Sequence, residues 1–350
     1  MTNSSNLHVI AKPIGPRCDL NCVYCFYREK EQLFPKGEDL RMSDEVLSAF
    51  ISQYDGEFVW QGGEPTLLGV DFFRKVIDLQ NKLKKGKKIR NCLQTNGVLL
   101  NDEWCEFLKQ HGFLVGLSLD GPKEINDLYR SSFDKVVGGL RLLKKHGVDF
   151  NVMACVGRET AKQPLAVYHF LKDEGVKFIQ FTAVVERDAA GQVTPWSAEP
   201  ERYGEFLIAI FDEWSKQDIG QIFVMNFEWA LNAWVGNPSP VCLFAEQCGR
   251  SLVIEHNGDV YSCDHYVYPE HLLGNVLKDK LKELVELPKQ QAFGAAKAAQ
   301  LPLACRNCAY LFACRGECPK RRQYLCAGYK KYFAHINKPL RALAQRLRNA

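Results

Sequence analysis

Eleven of the fourteen cysteines in this chain fall into three sets. The first is Cys18-x3-Cys22-x2-Cys25, inside the stretch CDLNCVYCFYREK. The second is Cys242-x5-Cys248-x14-Cys263, and the third is Cys305-x2-Cys308-x5-Cys314-x3-Cys318-x7-Cys326. Thiolate-rich groups select zinc or iron–sulfur clusters. Three sites of four thiolates each would need one cysteine more than the sets contain. A closed structural site has no use for such a vacancy, whereas an open metal position can take a small chelating ligand.

The compartment decides how cysteines are read. The N-terminus, MTNSSNLHVIAKP, lacks the charged region and apolar core of a secretory signal. No apolar run reaches bilayer-spanning length. The expected location is therefore the cytoplasm, where thiols stay reduced and clustered cysteines mean metal or redox chemistry. Charge is uneven: from Pro319 onward there are nine Lys or Arg and no acid, against a net charge of +4 overall. Without a basic patch elsewhere or an RNA-stacking motif, this tail reads as a solvated helix face and not as a nucleic-acid site.

The elements that must position these cysteines alternate. Strand-like runs occupy 7–13, 57–61, 89–96, 113–120, 149–156 and 177–185, and amphipathic helical stretches occupy 43–54, 70–85, 102–111, 134–146 and 162–174. Repeats of about 30–40 residues indicate βαβ units with right-handed crossovers. Six strands fall short of a closed (β/α)8 barrel, so a partial barrel or a doubly wound sheet would fit. Beyond residue 185 come a polar stretch, a helix over 201–217 and a further strand-like run at 222–227. The hairpin signal LVIEHNGDVYSCD turns at Asn257–Gly258. An apolar stripe from Tyr329 to Leu347, interrupted by Pro339, predicts a terminal helix or helix pair.

The spacing of Cys18, Cys22 and Cys25, with aromatic residues beside them past the first strand, resembles the radical S-adenosylmethionine (SAM) enzymes. In that family three cysteines hold a 4Fe-4S cluster and SAM supplies the remaining ligands. Further matches support the likeness. Gly62-Gly63-Glu64 of the GGEP turn matches the segment facing the SAM amino group, and Ser118 and Arg130 match residues that hold its carboxylate. Val185 matches the adenine contact. The later cysteines resemble the SPASM extension with two auxiliary clusters. The resemblance assigns Cys242, Cys248, Cys263 and Cys318 to the nearer one, and Cys305, Cys308, Cys314 and Cys326 to the farther one. Two structural zinc sites are the alternative for the same sets. The loop that usually ends Gly-Gly-Cys reads Gly316-Glu317-Cys318 here. Cys92, Cys105 and Cys155 lie in apolar elements and are expected to be inert core thiols.

The resemblance thus implies an α/β fold, a partial (β/α)6 TIM-like barrel with a cysteine-rich extension. It divides the chain into a core at 1–230, an auxiliary-cluster domain at 231–330 and a C-terminal helix at 331–350. AKPIGPRCDLNCVYCFY, FVWQGGEPTLLG, LQTNGVLLNDEWCEFL, FLVGLSLDGPKEI and VYSCDHYVYPEHLLGN are similar to anaerobic sulfatase-maturating enzymes. Those enzymes oxidise a cysteine or serine of a sulfatase to Cα-formylglycine. Removing hydrogen from an unactivated Cβ needs a cofactor-derived radical. The likeness makes Asp264 the proton acceptor, within hydrogen-bond reach of the substrate thiol or hydroxyl, and places Tyr24 near the peptide. It implies a Cys/Ser-x-Pro-x-Arg segment as substrate, flavodoxin or ferredoxin as electron donor, auxiliary clusters as electron acceptors, and a monomer. The segment after Arg130 is shorter than in the family. A peptide-crosslinking radical enzyme is the enzymatic alternative. Such enzymes often carry an N-terminal recognition domain, for which a first strand near Leu7 leaves no room. A metal-binding scaffold without turnover is the non-enzymatic alternative.

Overall fold

The computed structural model describes residues 7–349. Seven strands run parallel in chain order: β1 (His8–Lys12), β2 (Phe58–Trp60), β3 (Asn91–Thr95), β4 (Leu114–Ser118), β5 (Asp149–Val156), β6 (Phe178–Ala183) and β7 (Phe223–Val224). A doubly wound sheet would reverse its strand order at a switch point. This order never reverses, and the sheet does not close, so the fold is a partial barrel. Alternate positions such as Val9, Ala11, Leu93, Val115, Leu117 and Val152 are fully buried beneath the surrounding helices.

The helices α1 (Asp44–Gln53), α2 (Val70–Leu83), α3 (Asp102–Gln110), α4 (Lys123–Tyr129), α5 (Phe133–Lys145), α6 (Pro164–Asp173) and α7 (Pro200–Gln217) follow where the sequence places start signals. Ser43 caps α1 through Val46 N–H, and Asn101 caps α3 through Trp104 N–H. Pro164 and Pro200 open α6 and α7, where a missing N–H costs nothing. The seven-residue α4 is too short to show a helical period and was not expected. The run at 222–227 is only briefly a strand, since α8 (Met225–Val235) begins two residues later.

The cysteine-rich extension continues the same sheet. Strand β8 (Ser251–Glu255) pairs parallel with the free edge of β1, His8 against Ser251 and Lys12 against Glu255. Antiparallel β9 (Asp259–Tyr261) and β10 (Leu272–Asn275) complete the order β10-β9-β8-β1. The expected hairpin turn is present, with Gly258 in the left-handed region at φ +88°. Short helices α9 (Leu281–Leu284), α10 (Pro288–Ala299), α11 (Leu303–Arg306) and α12 (Leu311–Cys314) then lead to α13 (Cys326–Asn349).

Helix α13 is one helix containing Pro339, not a pair, and it starts five residues before 331. Its Tyr329, Tyr332, Phe333, Ile336, Leu340 and Ala344 are buried on the barrel's α7 and α8. The crossing with α7 is close because both helices carry glycine there. A Cβ on Gly328 would lie 1.9 Å from Pro200 O, and one on Gly204 would lie 2.4 Å from Gly328 O. Among the described residues, no helix is long and apolar enough to cross a membrane.

Candidate active site

The loop after β1 carries Cys18, Cys22 and Cys25 over the carboxyl ends of the strands, where parallel α/β sheets build their pockets. The turn after β2 pins that loop. Gly63 N–H donates to Gly15 O at 2.8 Å, and Glu64 N–H donates to Arg17 O at 2.8 Å. Gly62 has φ +144°, and a Cβ on Gly63 would stand 1.8 Å from Arg17 O. Only glycine allows this approach of backbone to backbone.

Glu64 is buried and its carboxylate is consumed by the protein. Oε1 accepts from Thr66 N–H, Thr66 Oγ1 and Thr95 Oγ1 at 3.0, 2.6 and 2.7 Å, and Oε2 accepts from Asn96 N–H at 2.7 Å. Burial nevertheless raises its pKa. Glu64 therefore ties the β2 and β3 loops together beneath the cavity.

Tyr24 and Arg130 meet in a buried cluster. Arg130 Nη2 donates to the Tyr24 hydroxyl at 2.7 Å, and that hydroxyl donates to Asp120. Asp120, fully buried just past β4, also accepts from Cys155 N–H at 2.8 Å. Arg130 Nε lies 3.5 Å from Asp120 Oδ2 but makes no hydrogen bond, leaving a buried donor free. Ser118 Oγ accepts from Gln94 Nε2 at 3.0 Å on the cavity floor.

Asp264 arrives from the other side, in the short 3-10 turn that follows Cys263. Its Oδ1 lies 2.5 Å from Lys12 Nζ, and its Oδ2 accepts from Gln61 Nε2 at 3.2 Å. Lys12 is only 2% exposed and sits 4.4 Å from the Tyr27 ring centroid. Burial alone would raise the Asp264 pKa, but the Lys12 ammonium reverses this and holds it below the ordinary carboxylate value.

These groups share one cavity of about 350 Å³, within the range of small-ligand pockets. Cys18, Cys22, Cys25, Tyr24, Gly62, Gly63, Glu64, Ser118, Arg130 and Asp264 all line it. Val185 does not. Val184 and Glu186 line the cavity, whereas Val185 packs in the core. Cys155 also lines it, and burial pushes its thiol up to about 12. Cys105 is in the core as expected, and Cys92 lies half-buried on β3.

The later cysteines form two groups. Cys305, Cys308, Cys314 and Cys326 line a second cavity together with Glu317. Cys242, Cys248, Cys263 and Cys318 lie near enough for their thiols to influence one another. Burial pushes Cys18 and Cys314 up to about 12, so neither thiol ionises alone near neutrality. Cys18, Cys22 and Cys25 line one cavity and Cys305, Cys308, Cys314 and Cys326 line another, which suits polynuclear iron–sulfur clusters. A glycine cradle and a free buried Arg130 donor suit a small ligand with a carboxylate and an amino group.

Lys12, Gln61, Asp120 and Glu186 were not singled out in the sequence. Lys12 had a signal, because an ionisable residue inside an apolar strand needs a partner.

Such a barrel with a three-cysteine loop and a cysteine-rich extension defines a radical SAM protein with auxiliary iron–sulfur sites. The radical SAM superfamily model matches residues 13–171, and the SPASM model, an iron–sulfur cluster-binding domain, matches 242–309. A serine-type anaerobic sulfatase-maturating enzyme of Bacteroides thetaiotaomicron is 42% identical, covering 94% of this chain and 89% of its own. A cysteine-type enzyme of Clostridium perfringens is 34% identical over 94% and 96%. The solved structure of anSMEcpe with bound AdoMet and the Cp18Cys peptide superposes with TM-score 0.87 at 33% identity, over 97% of this chain and 99% of that one. The chain belongs to the anaerobic sulfatase-maturating enzymes, and SAM and iron–sulfur clusters are its cofactors.

Proposed function

We propose that this chain oxidises a cysteine or serine side chain in a sulfatase polypeptide to Cα-formylglycine. Relatives of both target types align along nearly the whole chain, which favours this reading over peptide crosslinking. One structural observation carries it. The extension that follows Cys263 delivers Asp264 into the cavity lined by the three-cysteine loop.

Cys18, Cys22 and Cys25 would hold the SAM-binding 4Fe-4S cluster. The two later groups, Cys242, Cys248, Cys263 and Cys318, and Cys305, Cys308, Cys314 and Cys326, would hold the auxiliary ones. SAM bound to a reduced cluster supplies one-electron chemistry strong enough to break an unactivated C–H bond. The protein's part is position. The Gly62–Gly63 backbone, Ser118 and Arg130 fix the amino-acid end of the cofactor, and Tyr24 and Asp120 hold Arg130 in its rotamer. Asp264 accepts the proton from the substrate Sγ or Oγ. Lys12 and Gln61 hold its carboxylate toward the cavity, and Lys12 keeps it ionised at neutral pH. The core at 1–230 and the cysteine-rich domain after it are kept, with the C-terminal helix starting at Cys326 instead of 331, and the chain works as a cytoplasmic monomer supplied by flavodoxin or ferredoxin.

The test is direct. The anoxically reconstituted protein, given SAM and reductant, converts a short peptide carrying the target cysteine or serine to an aldehyde, read by mass and hydrazide trapping. SAM cleavage with no change in either peptide would refute the assignment.

A further inference from the structure

Three carboxylates line the cavity, and two are committed. Glu64 is saturated by four hydrogen bonds, and Asp264 is paired with Lys12. Glu186 is different. Its backbone is fixed, because its N–H donates to Ser197 Oγ at 2.9 Å and its carbonyl accepts from Thr194 N–H at 3.0 Å. Its carboxylate makes no hydrogen bond or ion pair among the described residues, although the residue is half-buried.

The cations around Glu186 are engaged elsewhere. Lys30 pairs with Glu29 at 2.9 Å, and Arg321 Nε pairs with Glu317 at 2.6 Å while its Nη1 donates to Ala183 O. Lys320 donates to His265 O at 3.3 Å and lies over the Phe26 and Tyr268 rings. Burial pushes the Glu186 carboxyl up to about 7, as expected of a desolvated group without a close partner. A cation arriving from outside would supply what this carboxylate lacks.

From this geometry we infer that Glu186 is a specificity residue that binds a cationic side chain of the substrate peptide. The inference rests on the peptide substrate proposed above. The ion pair forms between the carboxylate and a guanidinium or ammonium group that enters the cavity mouth with the peptide. It orients the chain so that the target side chain lies toward Asp264.

A two-by-two cycle tests it with the holoenzyme. Wild type and Glu186→Gln are each given a peptide with an arginine near the target residue and its citrulline isostere, and peptide KM, kcat and SAM KM are measured. Wild type should lose roughly 10- to 100-fold in KM on going to citrulline. Glu186→Gln should show that loss already with arginine and no further loss with citrulline, with SAM KM unchanged. Equal losses for both peptides, or a shift in SAM KM alone, would overturn the inference. If wild type converts neither peptide, the sulfatase reading fails and takes this inference with it. If wild type converts both without discrimination, only the role of Glu186 fails.

Discussion

Lys12 Nζ lies 2.5 Å from Asp264 Oδ1, joining a buried residue of the first strand to the residue that follows a cysteine of the extension. The link follows from sheet topology. Strand β8 pairs in parallel with β1, which sets the β8–β9 hairpin beside β1, and the 3-10 turn after β9 carries Asp264. Breaking one partner of a buried pair leaves the other charge uncompensated.

Lys12→Met should therefore cut aldehyde formation by roughly 10- to 100-fold while SAM cleavage without peptide persists. Comparing 5′-deoxyadenosine yield with peptide aldehyde yield checks this. Loss of both in proportion would make Lys12 structural only.

Gly63→Ala places a Cβ against Arg17 O, 1.8 Å away on the present backbone. The cysteine loop must move, and the cluster it holds should be lost first. Iron per chain should fall by about a third, from three clusters toward two. Iron analysis and the electron paramagnetic resonance signal of the reduced protein read this out.

Gly328→Ala tests the α7–α13 crossing, where the added methyl would meet Pro200 O at 1.9 Å. Overpacking of this kind costs about 1–3 kcal/mol. Thermal unfolding of the reconstituted protein should show a lower midpoint, while the peptide KM of the folded fraction is unchanged.

Glu186 gives the pH dependence its sign. Its carboxyl, pushed up to about 7, is ionised above that value and protonated below it. The charges facing it are Lys320, Arg321, Lys30 and Glu29. Peptide KM should therefore rise as pH falls through about 7, and Glu186→Gln should flatten the profile. For stability the sign is opposite. The folded state holds this proton more tightly than the unfolded chain, so Glu186 costs stability as pH rises from the ordinary glutamate range to about 7. Thermal midpoints of wild type and Glu186→Gln across that range should diverge accordingly.

The six strands and most helices were legible because buried parallel strands read as apolar runs and their helices as amphipathic ones. Helix α4 was not legible, since seven residues cannot show a period. The 222–227 run was misassigned because short apolar stretches do not distinguish strand from helix. At the site, cysteine spacing and GGEP carried a local signature. Asp120 and Lys12 did not, since Asp120 meets the Tyr24 hydroxyl from ninety-six positions away and Lys12 meets Asp264 from the far end of the chain. Val185 lies beyond β6 and packs in the core, which no local pattern in the sequence marks.

The central claim is that Asp264 takes the substrate proton in a radical SAM oxidation. Asp264→Asn, assayed with SAM, reductant and the cysteine and serine peptides, measures it most directly. The account predicts retained 5′-deoxyadenosine formation with most of the aldehyde lost from both peptides. Aldehyde at the wild-type level would contradict it.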